Sequence, residues 1–564
     1  MSSSTMLARM LSCALPLGLA ACVVDGRSAP VAASPSSPLQ SPFPAAPMKV
    51  DPLHVASGPS PFVAGCDGET NPGTAYINSE VEPYLAVNPL DPDRMVGIWQ
   101  QDRWSNGSAR GLVSATSLDG GRTWTRRSLP FSRCGGGTAG NGGNYARATD
   151  PWVSYGPNGT VYAAGLSTSG ASFTAGSSNA MLVSRSLDDG LTWSNPATLI
   201  LDGGGFFNDK EAITADPTDA NLVYIVWDRL VAGDNGGPSY FARSVNGGSS
   251  WQAARSIYDP GPDSQTIGNL IVVLPDGVLV NMFLQIDAVG GTESAHIAVM
   301  RSSDRGLTWT APSPVAELLS VGTRDPNTGR TVRDASILPQ IAVAPNGTLY
   351  VAWQDSRFDG GLRDAIVISR SVDDGHTWTP PRRVSAAVGV AAFNHAVHVR
   401  GDGMVGVTYY DFRSDGAAAT LLTDMWLARS SDGGATWAEA RIADPFDMAI
   451  APSTNPNTGG YFVGDYQGLA SRGNVFLPFF SRTNNANTAN RTDIFNAPAI
   501  TATSPIGRTR SDPGPPRRRP SQAMAAPAVK ARISSNLKRA LQERLPSSKP
   551  MDSDPRRPQP SRDR

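Results

Sequence analysis

The sequence predicts an all-β chain, a β-propeller of four-stranded antiparallel blades with disordered termini. Three observations predict it. An eight-residue sentence ending in Trp is written six times, beginning at Ser117 (SLDGGRTW), Ser186 (SLDDGLTW), Ser244 (SVNGGSSW), Ser302 (SSDRGLTW), Ser371 (SVDDGHTW) and Ser430 (SSDGGATW). Successive serines lie 69, 58, 58, 69 and 59 residues apart, and a period of that size marks stacked supersecondary units. Finally, 57 Gly and 46 Pro against only 17% charged residues suit many short strands joined by turns.

Each octapeptide carries the chemistry of a tight turn. Its aspartate can accept bonds from turn N–H groups, its glycine supplies positive φ, and its Ser and Thr hydroxyls can satisfy neighbouring backbone groups. Asn246 and Ser250 stand in for Asp and Thr in the third copy and keep the same bonding capacity. The Trp then opens the next strand, and Trp124, Trp193, Trp251, Trp309, Trp378 and Trp437 are expected to supply much of the core between sheets.

Upstream of each octapeptide stands a hairpin pattern, two period-2 runs around a Gly- or Pro-containing turn. It reads EPYLAVNPLDPDRMVGIWQ from Glu82, DPWVSYGPNGTVYAAGL from Asp150 and EAITADPTDANLVYIVW from Glu211. Later copies start at Asn269, Pro339 and His395, and a seventh, DYQGLASRGNVFLPFFSR from Asp465, has no octapeptide after it. A third strand precedes each octapeptide and a fourth follows it. The count is seven blades between about 80 and 500, or six if one hairpin is an insertion. The last unit lacks a fourth strand, and residues 52–64 are the candidate to supply it, since a strand lent by the other terminus removes exposed edges.

The octapeptide resembles the Asp box, or BNR repeat, of sialidases and related β-propellers, and the resemblance covers about 80 to 500. It implies a glycan-processing propeller with chemistry on the face opposite the boxes. Sialidases have six blades, use Tyr as nucleophile and carry an Arg-Ile-Pro motif ahead of the first box. Here the corresponding stretch reads SEVEPYLAVNP, so the family's carboxylate-binding arginines are not carried over residue by residue.

The two ends differ from the middle. Arg9 precedes an apolar run from Met10 to Leu19 that is too short to span a bilayer. Leu19-Ala20-Ala21-Cys22 resembles a bacterial lipobox, with an ordinary signal peptide as the alternative. Residues 1–21 are thus read as a lipoprotein-type signal and 22–50 as an acylated Cys22 with a Pro/Ala/Ser-rich tether. Residues 51–502 are the propeller and 503–564 a basic, mostly disordered tail. From Ser504 onward there are 15 Lys+Arg and 5 Asp+Glu, leaving 33 basic and 44 acidic residues before it. Within the tail, Val529, Ile533, Leu537, Leu541 and Leu545 make a short amphipathic helix over 528–545. It is suited to anionic lipid, lipopolysaccharide or a partner, or else it is a solvated tail. Cys66 and Cys134 are left as an even pair in an oxidising compartment, read as a disulfide with two buried thiols as the alternative. No C-x-x-C or H-E-x-x-H occurs. Nucleic acid is excluded as the partner of an exported propeller, and nothing in the sequence speaks to oligomeric state.

Candidate chemistry gathers on two loop positions. The end of strand two carries Asp102-Arg103, Asp228-Arg229, Asp355-Ser-Arg357 and Asp411-Phe-Arg413, and the start of strand one carries Glu80, Glu82, Asp150, Asp209, Glu211, Asp334 and Asp465 followed by Tyr466. Arginines hold carboxylates bidentately, and a carboxylic acid can protonate a glycosidic oxygen. A group repeated in every blade suits structure, and one that is not repeated suits catalysis. Glu211, Asp465, Tyr466 and Asp150 are therefore the catalytic candidates, and Arg103, Arg229, Arg357, Arg413, Lys210, His395 and Glu82 the substrate-binding ones. The expected activity is glycoside hydrolysis of the exo-sialidase type on a cell-surface glycan. The alternative is a non-catalytic propeller that binds glycan or protein. No cofactor is required, and Ca²⁺ among the acidic loops stays open.

Overall fold

A computed structural model describes residues 48–68, 73–233, 236–454, 460–501, 510–511, 524 and 526–544. The signal segment, Cys22, the tether up to residue 47 and most of the tail lie outside the described residues.

Period-2 runs become antiparallel strands in repeated groups of four. The first group is Ala75–Val87, Met95–Trp104, Ala109–Ser117 and Thr125–Ser128. The second is Arg147–Tyr155, Val161–Ser169, Ser178–Ser186 and Ala197–Asp202. Phe206–Ala215, Val223–Val231, Ser239–Ser244 and Arg255–Tyr258 form the third. Ser264–Val273, Leu279–Val289, Thr292–Ser302 and Ser313–Glu317 form the fourth. Gln340–Val343, Leu349–Asp355, Ala365–Ser371 and Arg382–Arg383 follow. Ala392–Val399, Val405–Asp411, Leu422–Ser430 and Thr436–Asp447 come next, with Arg510–Ser511 of the tail added at the edge.

The last group draws on both ends of the chain. Gly468–Arg472 pairs with Val475–Thr483, which pairs with Thr492–Asn496 and its continuation Ala499–Thr501. From the N-terminal side, Met48–Val50 runs against Ala499–Thr501 and His54–Val55 against Thr492–Asn496. The first strand of each group lies against the first strand of the next, and Gly468–Arg472 lies against Ala75–Val87, so the circuit of first strands returns to its start.

The octapeptides join third to fourth strands as read. In the copy at Ser371, Ser371 Oγ donates to Asp373 Oδ1 (2.7 Å), Gly375 N–H donates to Ser371 Oγ (2.9 Å), and Thr377 donates from N–H and Oγ1 to the same carboxylate (2.9 and 2.6 Å). Asn246 keeps the pattern, accepting from Ser250 N–H at 2.9 Å and donating to Ser250 Oγ at 2.9 Å. Glycine is needed here for two reasons at Gly306: φ is +81°, and a Cβ would lie 2.5 Å from Phe241 Cζ.

The octapeptide tryptophans do less for the core than expected. They are only half-buried, because each follows a turn at the rim and leaves one edge to solvent. The wholly buried indoles are Trp99, Trp227 and Trp353, all on second strands, where both faces of the sheet are covered. Cys66 and Cys134 are bonded, with Cα atoms 4.9 Å apart, and fasten the segment after the N-terminal strands to the loop after the first group.

The tail also departs from expectation. Its helix, α1 (Pro527–Arg544), is docked on the chain's own body rather than on an outside surface. Val529, Ile533, Leu537 and Ala540 are buried and Leu541 half-buried, in one hydrophobic cluster with Ile267, Ile337 and Leu338. An i, i+4 stripe fixes only that one face of a helix must be covered, not by what.

Candidate functional site

The site is built from a backbone irregularity repeated around the circuit. The first strand of five groups breaks register at a bulge, between Val81/Tyr84, Thr149/Trp152, Asp209/Ala212, Ile267/Leu270 and Phe393/Ala396. One residue of each bulge is left-handed: Glu82 (φ +54°), Asp150 (+52°), Lys210 (+53°), Gly268 (+66°) and Asn394 (+49°). Only one of the five is glycine. Each of the others costs about 1–3 kcal/mol of backbone strain, and such bulges re-aim side chains. Glu211 and His395 follow the left-handed residue, in the positions that Pro83 and Pro151 fill in the first two groups.

The re-aimed side chains converge. Lys210 Nζ lies 2.5 Å from Asp150 Oδ1, 2.6 Å from Asp465 Oδ2 and 3.4 Å from Glu82 Oε1. Arg333 grips Asp465 from its own side, with Nε 2.6 Å from Oδ1 and Nη2 on Oδ2. Gln100 donates to Glu82 Oε2 and to Thr149 Oγ1 (2.6 Å). Arg103 and Arg333 both stack on Phe462, at 4.6 and 5.0 Å. Tyr466 closes the wall, packed at 5.2 Å against Trp152, which stacks on Tyr84 at 3.7 Å.

Burial and charge divide the carboxyls into two kinds. Burial pushes Glu82 up to about 8, against the pull of Lys210 and with the help of Asp150 and Asp465. Burial and the neighbouring Asp150 push Glu211 well above the carboxylate range, and neither of its oxygens has a hydrogen-bond partner among the described residues. Asp465 is the reverse case. Burial would raise it, but Arg333 and Lys210 outweigh burial and hold it far below the usual range. Lys210 keeps its proton for the same reason, since Asp150, Asp465 and Glu82 overcome the cost of burying the ammonium. Burial also lowers Arg103 to about 10, with Arg333 adding to the shift. The cluster therefore favours the protonated form of Glu82 and Glu211 and the ionised form of Asp465 beside its cations.

The other candidates are placed differently. Tyr466 donates its hydroxyl to Pro151 O (3.0 Å), and burial with Glu82, Asp150 and Glu211 nearby keeps it a neutral phenol. Arg229 is engaged bidentately by Asp202 (2.8 and 2.7 Å) and lies 3.5 Å over Phe206. Arg357 is held by Asp355 (2.8 and 2.7 Å), and Arg413 by Asp411 and Glu439. His395 bonds Ala352 O through Nε2 at 2.8 Å, and burial lowers it to about 4. These four belong to the walls between and within sheets. Arg333 is the main group that the sequence did not single out. It precedes Asp334, which was noted, but lies in a stretch before the fifth group that falls outside the repeat.

The oxygens of Glu82, Asp150 and Asp465 lie within 4.8 Å of one another, a spacing that can hold a metal ion. Lys210 Nζ sits where the three converge and supplies the positive charge there. A Ca²⁺ ion seeking six to eight oxygens does not fit beside that ammonium. Lys210, Arg333 and Asp465 line a small cavity of about 20 Å³ that Ala540 of α1 also lines.

Several solved structures resemble this chain. A protein of unknown function from Dyadobacter fermentans matches at 14% identity and a TM-score of 0.45, over 81% of this chain and 99% of that one. A Penicillium chrysogenum α-L-arabinanase complexed with arabinobiose matches at 14% identity and 0.41, over 79% and 98%. The Hadza microbial sialidase Hz136 matches at 17% identity and 0.39, over 74% and 65%. No protein-family model and no curated protein match the sequence.

Proposed function

We propose that the chain is a seven-bladed Asp-box propeller that processes glycans at the cell envelope as a glycoside hydrolase. The circuit of first strands supports the ring, and the six octapeptide turns support the Asp-box reading. One observation carries the chemistry: Glu82, Asp150 and Lys210, each on a left-handed bulge of a first strand, meet Asp465 at one buried point, and Glu211 follows Lys210 with both carboxyl oxygens buried and without a hydrogen bond among the described residues. Glu211, whose burial favours the protonated form, is the proton donor to the leaving oxygen, and Asp150 is the nucleophile or base. Lys210 and Arg333 fix Asp465 and hold positive charge in place. Tyr466 packs the wall. The expected substrate is an exo-linked sugar of the sialoside type, and an N-terminal acyl anchor at Cys22 holds the enzyme to its membrane.

A second reading has its own observation. Lys210 satisfies three carboxylates internally, as a structural keystone would, and a propeller so closed would bind glycan or protein without turning it over. Glu211→Gln and Asp150→Asn, assayed on sialosides and neutral aryl-glycosides with glycan binding measured in parallel, separate the two. The hydrolase reading expects a loss of about 10²–10⁴-fold in turnover from at least one change while binding persists. Saturable binding with no turnover by the unaltered protein hands the site to the binding reading.

A further inference from the structure

The helix α1 reaches the cluster at Ala540, which lines one cavity with Lys210 and Asp465. No strand pairs with α1, so lifting it breaks no ladder. Its anchors are side chains. Asn536 Nδ2 donates to Ser320 Oγ (3.3 Å) and Ser336 Oγ (3.2 Å), Ser534 Oγ donates to Glu293 Oε2 (2.6 Å), and Lys538 pairs with Glu293 (3.2 Å). Arg539 reaches Asp334 at 3.6 Å, beside Arg333 of the cluster. Two glycines of the body make room for the helix: a Cβ on Gly361 would fall 2.4 Å from Val529 Cγ1, and one on Gly322 would fall 2.1 Å from Asn536 Oδ1. Val529, Ile533 and Leu537 face inward, while Lys530, Arg532, Ser535 and Lys538 are exposed. Alongside α1 runs an open groove of about 900 Å³, lined among others by Arg324, Phe412, Asp415, Arg532 and Asn536. Among the described residues there is thus a roomy groove beside the helix and a cavity of only about 20 Å³ where Ala540 meets Lys210 and Asp465.

We propose that α1 is an intramolecular lid: Ala540 lies over Lys210 and Asp465, the side of the cluster that α1 reaches, and a glycan in the flanking groove reaches them, and through them Glu82 and Asp150, only when α1 lifts. This rests on the reading of that cluster as the place where glycan is handled. Most of a helix's stability in a protein comes from packing its apolar face, so release from the body also loosens α1, and opening has a signature of its own.

The test compares the full chain with its Leu537→Asp variant, which places a charge in the middle of the inward stripe. Three quantities are read: amide hydrogen exchange across 527–544, carbodiimide labelling of Glu82, Glu211 and Asp465 by mass spectrometry, and turnover with binding on the glycan panel. The lid predicts that exchange in α1 and labelling of the cluster both rise roughly tenfold or more, and that kcat/KM or glycan affinity rises with them. Rapid exchange in α1 with labelling and ligand handling unchanged overturns it. If labelling rises but neither protein turns over or binds any glycan, the lid stands and the glycan reading falls. Should Leu537→Asp fail to fold, Asn536→Ala, which removes two anchoring bonds without adding charge to the apolar stripe, is read in the same way and decides.

Discussion

Lys210 shows how much one residue can be made to do by its backbone. At φ +53° its side chain leaves the strand's alternation and meets three carboxylates from three other parts of the chain. The buried charges around it set the molecule's pH response. Glu82 is raised to about 8 from an ordinary glutamate value, so the folded state binds its proton more tightly than the unfolded chain does. The stability from that proton is fully present below the unfolded pKa and is lost as pH rises through about 8. The octapeptide aspartates act with the opposite sign. Bonds from Thr308 and Thr377 hold Asp304 and Asp373 down to about 2, so their contribution is present above the usual aspartate range and lost as pH falls towards 2. We expect the melting temperature to peak in mildly acidic buffer and to fall between about pH 5 and 8. Glu82→Gln should flatten part of that alkaline limb in calorimetric scans, and an unchanged slope would remove Glu82 as its source. The acidic partners of Lys210 were readable in the sequence because each opens a recurring hairpin. The left-handed geometry was not, since Glu, Asp, Lys and Asn carry no glycine signature. Nor was Arg333, which no repeat places in register.

At the scale of elements, the hairpins and octapeptides were legible because strand alternation and turn chemistry are local. The vacancy for a strand borrowed from the N-terminus was legible, with residues 52–64 as its candidate, but Met48–Val50 lies upstream of that range. Met48–Val50 and His54–Val55 fill it, and they cover the edge of Thr492–Asn496 and Ala499–Thr501. Deleting residues 48–55 should expose that edge, lower the melting temperature by about 5–10 °C and promote self-association. Thermal melts with light scattering check both, and a monomer of unaltered stability would show that these pairs are dispensable. The helix was predicted almost to the residue, but its berth was not. Charge on one face and aliphatic side chains on the other suit a lipid surface and a protein groove equally. Only Gly322, Gly361, Ser320 and Ser336, far away in sequence, single out the groove.

For the whole molecule, charge is distributed by region: the tail from Ser504 is strongly basic, and the remainder carries the acidic excess. Part of that tail is spent on the body, through Arg539 on Asp334 and Lys538 on Glu293. Under the proposed acylation of Cys22, membrane attachment is then expected to depend on the N-terminus. Cys22→Ala should move the protein from the membrane fraction to the soluble one, and full retention would shift attachment to the tail. Such an anchor would also give the N-terminal strands a mechanical role. A tug arriving at Met48 meets first the backbone pairs of residues 48–55, which can peel away one after another. It next meets Cys66, whose bond to Cys134 passes the load into the first group of strands. Peeling stops there, at a covalent rivet, so a molecule anchored in that way and under drag would lose these N-terminal strands and regain them without the later groups of strands unravelling.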